Sequence, residues 1–208
     1  MKTTMKETSN NNVSLVGTVA SKVEFSHELY GRKFYVFQLE VERLSWQTDI
    51  IPIIIPEEYR ILPQIKEGKK IYVEGNYRSY NKEENDKKRL VLSVFPSRIE
   101  PVDEEKYWNM NSIALQGFIC KPVVYRKTPL GREVADMMIA VNRLYGKSDY
   151  IPCIAWGRNA RWASGFELGN ELKIWGRIQS REYVKKLSDE ESEKRTAYEV
   201  SVSKLELV

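Results

Sequence analysis

Histidine is almost missing from this chain: His27 is the single one in 208 residues. That excludes most His-based metal centres and His-dependent nucleophilic triads. Cysteine is nearly as scarce. Cys120 and Cys153 are the only two and form no Cys-x-x-Cys, so neither a disulfide scaffold nor a thiolate zinc site is expected. Hydrophobic runs are short, as in Ile50 to Ile55, far below the roughly 18 apolar residues of a membrane helix. The polar start, Met1 to Asn12, lacks the apolar stretch of a secretion signal. There is no phosphate-cradling Gly loop, no Gly-x-Ser-x-Gly elbow and no metal-spaced cluster. The reading is therefore of a chain that is not an enzyme, with no cofactor, no metal, no small-molecule substrate and no membrane partner. What is present suits a folded protein: 42% hydrophobic and 30% charged residues. The net charge of +4 lies wholly in residues 111–208, because residues 1–110 are neutral. Such a field permits a polyanion partner without requiring one.

The chain repeats itself with a period of about 100 residues, the scale of whole domains. Asn11, Leu15 and Gly17 recur as Asn111, Leu115 and Gly117, and Gly31-Arg32 as Gly131-Arg132. Val41-Glu42-Arg43-Leu44 returns as Val141-Asn142-Arg143-Leu144, and Asp49-Ile50-Ile51-Pro52 as Asp149-Tyr150-Ile151-Pro152. After one inserted residue, Gly68 and Gly75 match Gly169 and Gly176. The expected layout is a disordered segment 1–10, a first domain 11–102, a linker 103–110 and a second domain 111–208. The acidic run Asp103-Glu104-Glu105 beside Pro101 suits such a linker.

Each copy alternates apolar and polar residues in strand fashion, as in Val13, Leu15, Gly17, Val19 and Ile113, Leu115, Gly117, Ile119. Five strands per copy are expected, with one short helix between the third and fourth: Glu57 to Ile65, and Asn159 to Leu168. That order is the OB-fold, a five-stranded Greek-key barrel, here in tandem and all-β, with a Greek-key sandwich as the alternative because periodicity does not count sheets. Asn81 to Lys88 and Lys185 to Lys194 read as charged, solvated hairpin loops.

The most informative segment is Trp175 to Tyr183. Alternate residues of a strand share a face. Trp175, Arg177, Gln179, Arg181 and Tyr183 therefore fall on one side, and Ile174, Gly176 and Ile178 on the other. A ribbon of rings and guanidiniums facing water suits single-stranded nucleic acid, because rings stack on bases and arginines meet phosphates. Tyr145, Tyr150 and Trp156, with Arg143, Arg158 and Arg161 close in sequence, are candidates to extend it.

The second copy resembles the bacterial single-stranded-DNA-binding protein family. The residues that carry the resemblance are Ile113-Ala114-Leu115-Gln116-Gly117, Pro129-Leu130-Gly131-Arg132-Glu133-Val134-Ala135 and Ile139-Ala140-Val141-Asn142-Arg143. They continue through Tyr150 to Ala160, Gly176 to Tyr183 and Arg195 to Val200. The resemblance implies base stacking on Tyr145, Tyr150, Trp156 and Tyr183, and backbone contacts on or beside Arg158, Arg177 and Arg181. Arg143 and Trp175 complete the expected DNA-binding set, and the hairpin residues Lys185 and Lys186 are weaker candidates. In the first copy the stacking positions hold Ser45, Ile50, Pro56 and Lys82, so that face reads as degenerate. Trp46, Tyr77, Arg78 and Tyr80 are its weaker candidates. The resemblance further implies four OB folds per assembly, hence a homodimer, and a cytoplasmic, nucleoid-associated protein of replication, recombination or repair. The chain closes at Leu205 to Val208 without the family's acidic tail, so recruitment of proteins through a tail is not expected. The expected function is coating of single-stranded DNA with little sequence preference. The alternatives are an OB-fold adaptor for a replication-restart protein and an RNA-binding OB-fold protein.

Overall fold

A computed structural model gives the architecture for residues 10–43, 45, 47–59, 65–84, 87–102, 110–186 and 192–208. The first unit contains β1 (Asn11–Val19), β2 (Glu24–Leu29), β3 (Arg32–Glu42), β4 (Thr48–Pro56), β5 (Lys70–Glu84) and β6 (Lys87–Pro101). The second repeats them as β7 (Asn111–Ile119), β8 (Val124–Lys127), β9 (Glu133–Asn142), β10 (Ser148–Trp156), β11 (Glu171–Lys186) and β12 (Ser192–Leu207). The fold is thus all-β, with five barrel strands per unit as the alternation implied.

In the first unit β1, β3, β4, β6 and β5 pair in turn, and β5 returns to β1. The parallel β4–β6 contact at Ile53 and Val94 and the β1–β3 contact at Thr18 and Glu40 close the ring. β10–β12 and β7–β9 do the same in the second unit. Gly17 and Gly117 sit at the β1–β3 and β7–β9 crossings. A Cβ at either would fall on the carbonyl oxygen of Glu40 or Ala140, so only glycine lets the strands approach. Inward positions alternate along each strand, as with Tyr35, Phe37, Leu39 and Val41 on β3 and Ala135, Met137, Ile139 and Val141 on β9.

Three elements differ from the sequence reading. β2 and β8 are additional strands, each hung on one side of the barrel as a hairpin with β3 or β9. All four β8 side chains are exposed, so no burial period marks that strand. The charged segments read as loops are largely strand: β5 runs on to Glu84 and β11 to Lys186. Continued backbone pairing, Tyr183 with Arg195 and Val184 with Lys194, carries these strands on into solvent. The helix of the second unit, α1, is Arg158–Ala163, shorter than the span expected. In the first unit Glu57–Tyr59 forms one 3-10 turn, and the rest of the expected helix falls largely on residues 60–64, outside the described part.

The units join into one 12-stranded sheet through β1 and β7. Asn11 faces Leu115, Val13 faces Ile113 and Leu15 faces Asn111. Residues 100 apart thus exchange places about the Val13–Ile113 pair, which is the signature of a two-fold contact. Val16 N–H donates to the Met110 carbonyl (2.8 Å), and Gln116 N–H donates to the Asn10 carbonyl (2.8 Å), in the same symmetric sense. Asn10 and Met110, assigned above to a disordered segment and a linker, are therefore ordered seam residues.

Two buried carboxylates clasp the seam. Asp49 and Asp149 each show 0% side-chain exposure. Asp49 takes Arg43 Nε at 2.7 Å and the backbone N–H of Ser180, on β11 of the other unit, at 2.7 Å. The Ile50 N–H in turn donates to Ser180 Oγ at 3.0 Å. Asp149 takes Arg143 Nε at 2.6 Å and the N–H of Ser79, on β5, at 2.6 Å. Tyr150 N–H donates to Ser79 Oγ at 2.7 Å. Arg43 and Arg143 also reach the carbonyls of Ser180 (3.3 Å) and Ser79 (2.9 Å). A carboxylate taken fully out of water is tolerated only when paired and hydrogen-bonded, so each clasp is an all-or-nothing contact. Arg143→Ala leaves Asp149 with Arg78 as its one cation and should cost on the order of 3 kcal/mol. A fall in the urea midpoint of unfolding would register it; an unchanged midpoint would dismiss the clasp.

Candidate nucleic-acid interface

On β10 the outward positions are Tyr150, Pro152, Ile154 and Trp156, while Ile151, Cys153 and Ala155 enter the core. Tyr150 and Trp156 are 46% and 38% exposed, large values for aromatic rings on a central strand. On β11 Leu172, Ile174 and Ile178 face inward, and Arg177, Arg181 and Tyr183 outward. The parity survives a register break because the extra residue lies on the partner. Trp175 faces Lys204 and Gly176 faces Val202, so Ser203 of β12 is the bulge.

A groove of about 600 Å³ opens beside Trp156. Arg177, Gln179 and Arg181 of β11 form one wall, Arg126, Arg132 and Asp136 of the β8–β9 hairpin another, and Ile154, Glu199 and Ser201 the floor. Arg43 of the first unit reaches the same groove. Five arginines against Asp136, Glu199 and the buried Asp49 that holds Arg43 leave it cationic. Asp136 is spent on Arg126 (2.8 Å), and Glu199 accepts from Gln179 Nε2 (2.6 Å). Among the described residues, Arg132 and Arg181 have no acidic partner. Arg181 lies over the Tyr183 ring, 5.9 Å from its centroid, and Tyr183 is 37% exposed. Ring and cation therefore present themselves together to whatever enters.

Several expected contacts lie elsewhere. Arg143 is engaged by Asp149 and the Ser79 carbonyl at the seam, so its charge is already neutralised. Arg158 lines a separate shallow pocket with Trp162 and Lys204. Trp175 is half-buried outside the groove, with Lys204 Nζ 4.7 Å from its ring centroid. Gln179 is almost covered and tied to Arg177 as well as Glu199. Tyr145 falls in a 3-10 turn, Leu144–Gly146, beside Arg143. Lys185 and Lys186 close β11. The side chains of these last three residues, Tyr145, Lys185 and Lys186, lie outside the described part.

In the first unit Tyr77 is fully buried, so it is core and not surface. Arg78 is bound to Asp149 at 3.0 Å. Tyr80 is exposed and lies 6.0 Å from the ring of His27. Trp46 is outside the described residues. The face that matches the groove carries rings that the sequence reading passed over. His27 stacks on Phe34 at 4.9 Å with a 10° interplanar angle, and Phe34 meets Phe95 at 6.3 Å. Burial lowers the His27 pKa, holding the ring neutral against Phe34. Arg43, Arg126 and Arg132 were likewise missed as groove residues. Arg132 recurs in the repeat, and Arg126 alternates with Val124, but only the hairpin geometry brings them to the wall.

Both thiols are poor nucleophiles. Burial raises Cys120 and raises Cys153 strongly. Among the described residues no three His, Cys, Asp or Glu side chains are grouped to hold a metal, and no helix is long and apolar enough to cross a membrane.

Fold and groove together define a tandem OB-fold protein with one open aromatic and cationic face. The Single-strand binding protein family model matches residues 110–208, the whole of the second unit. It is 36% identical over 81 residues to Single-stranded DNA-binding protein 2 of Listeria innocua, covering 36% of this chain and 51% of that protein. Single-stranded DNA-binding protein A of Bacillus subtilis is 33% identical over 81 residues, with 36% and 47% covered. The chain thus spans about half the length of the curated relatives it matches. Over both units, the wild-type single-stranded DNA binding protein from Thermus aquaticus superposes with a TM-score of 0.71 at 22% identity, covering 95% of this chain and 92% of that one. That likeness shows the tandem fold.

Core and surface rings separate in stability. The buried Tyr77 hydroxyl has no hydrogen-bond partner among the described residues. Tyr77→Phe should therefore be neutral or stabilising, whereas Tyr77→Ala should cost about 3–5 kcal/mol. Trp156→Ala should stay within about 0.5 kcal/mol, as exposed sites do. Denaturant titration of the three variants checks the contrast, and a large loss at Trp156 would place that ring in the core.

Proposed function

We propose that this protein binds single-stranded DNA with little sequence preference, chiefly through the groove of its second unit. The observation that carries the reading is the exposure of Trp156 and Tyr183 beside arginines that lack acidic partners. Rings accept any base because every base has a π-face, and Arg132, Arg177 and Arg181 supply cations along a phosphate track. The family-model match of the second unit and the names of its relatives support the same ligand. Tyr150 and Tyr145 are the further stacking positions. Arg158, Trp175 and Tyr80 belong to secondary surfaces that a longer strand reaches, and Lys185 and Lys186 extend the track along the hairpin. The first domain, residues 11–102, serves mainly to build the assembly beside the second, residues 111–208. The polypeptide performs no catalysis and acts by coating DNA in replication, recombination or repair.

The chain is in itself a pseudo-two-fold pair of barrels. We infer that two chains associate to give four barrels, as the resemblance implies. Mass in solution with and without a long thymidine oligomer tests this: twice the chain mass is expected, and a monomer in both conditions would refute it.

Stacking on each ring contributes on the order of 1–3 kcal/mol. Trp156→Ala and Tyr183→Ala should therefore each weaken oligo(dT) binding by about 5- to 150-fold, while Trp46→Ala changes it little. Equal losses at all three positions would contradict the division of labour between the units. Glu199→Gln removes a negative charge from the groove floor and should tighten binding severalfold at low salt. Competition between matched RNA and DNA oligomers, and a salt-insensitive complex with a protein in place of DNA, are the outcomes that would favour the other binding roles.

A further inference from the structure

The groove of the second unit contains one residue of the first. Arg43 reaches it from across the seam. Asp49 is fully buried, and its two oxygens are taken up by Arg43 Nε (2.7 Å), Arg43 Nη2 (2.5 Å) and Ser180 N–H (2.7 Å). Arg177 approaches the same carboxylate from the groove wall. Its Nη1 stops 3.6 Å from Asp49 Oδ2, within Coulomb attraction but beyond hydrogen-bond reach. That Nη1 is buried and has no hydrogen-bond partner among the described residues. The other Nη of Arg177 is spent on Gln179 at 3.2 Å. The companion clasp differs on this point, because Arg78 Nη1 bonds Asp149 directly at 3.0 Å.

Two guanidiniums and one carboxylate leave an excess positive charge at the seam edge of the groove. The buried Nη1 faces the seam, while the rest of the Arg177 side chain, 37% exposed, is open to solvent at the groove wall. We propose that the DNA groove is composite: Arg43 of the first unit acts as a positioning residue that saturates Asp49, and thereby leaves the charge of Arg177 uncommitted, so that the exposed part of its guanidinium meets a phosphate of the bound strand. Arg43 need not touch the strand. It keeps Asp49 from capturing Arg177, while the Asp49 charge holds the Arg177 side chain at the wall. The fold of the repeat produces this arrangement, because the clasp that joins the units ends at the mouth of the groove. A second unit taken alone would lack both Arg43 and Asp49.

This inference rests on the single-stranded DNA reading, and the test separates the two. Binding of a thymidine oligomer is measured over a salt series for the wild type, Arg43→Lys, Arg177→Gln and the double variant. Arg177→Gln should lower the magnitude of the salt slope by about 0.7, one phosphate's worth. Arg43→Lys keeps the charge but loses the planar fork, so Asp49 turns to Arg177. It should lower the slope by the same amount, and the double variant should lose nothing further. A simple charge contact of Arg43 would instead preserve the slope. If Arg43→Lys does not fold, Asp49→Asn replaces it, and its effect, of either sign, should vanish in the Arg177→Gln background. Asp149→Asn, in the companion clasp, should combine additively with Arg177→Gln. A wild-type slope in Arg43→Lys or Arg177→Gln, or full additivity between them, overturns the proposal. Absence of binding by the wild type would overturn the function reading itself.

Discussion

A carboxylate with no access to water must be satisfied from within the protein, and this chain places one such group in each repeat. Asp49 and Asp149 are satisfied by an arginine of their own unit and by a backbone N–H of the other. Separating the barrels therefore breaks the cross-seam hydrogen bonds of both carboxylates. The β1–β7 ladder sets the register, with Val13 opposite Ile113, and the clasps lock it. A duplicated pair of OB folds is in this way joined into one continuous sheet.

The same two-fold frame carries unequal surfaces. In the second unit Arg181, Ser201 and Arg126 occupy positions where the first unit holds Tyr80, Phe95 and His27. One face is a cationic groove with exposed rings at its edge; the other is a patch of rings packed on one another. The charge arithmetic of the sequence agrees, since the whole excess of +4 lies in the second repeat. Duplication preserved the seam residues Arg43, Asp49 and Asn11 as Arg143, Asp149 and Asn111, and let the binding faces diverge.

Much of this was legible in the residues, for definite reasons. Strand parity is a local property, so Ile174 and Ile178 could be placed inside and Arg181 and Tyr183 outside. The bulge at Ser203 spared that inference because it fell on the neighbouring strand. The repeat announced the tandem barrels through Gly17 and Gly117, which tight crossings demand. What stayed hidden depends on contacts distant in the chain. Arg143 looked like a phosphate ligand until Asp149 and Ser79 were seen to hold it, and Tyr77 looked like a surface ring although its strand face enters the core. β2 and β8 carry no burial alternation, so Arg126 had no assigned wall. Arg43 could not be linked to the second unit's groove by any pattern within its own repeat.

Binding depends on which rings meet unpaired bases. Photocrosslinking of the protein to a 5-iodouracil-substituted oligomer, followed by peptide mass spectrometry, reads this directly. Cross-links should concentrate on Trp156, Tyr183 and Tyr150 and disappear at high salt. Cross-links confined to His27, Phe34 and Phe95 in the first unit, or none at all, would contradict it.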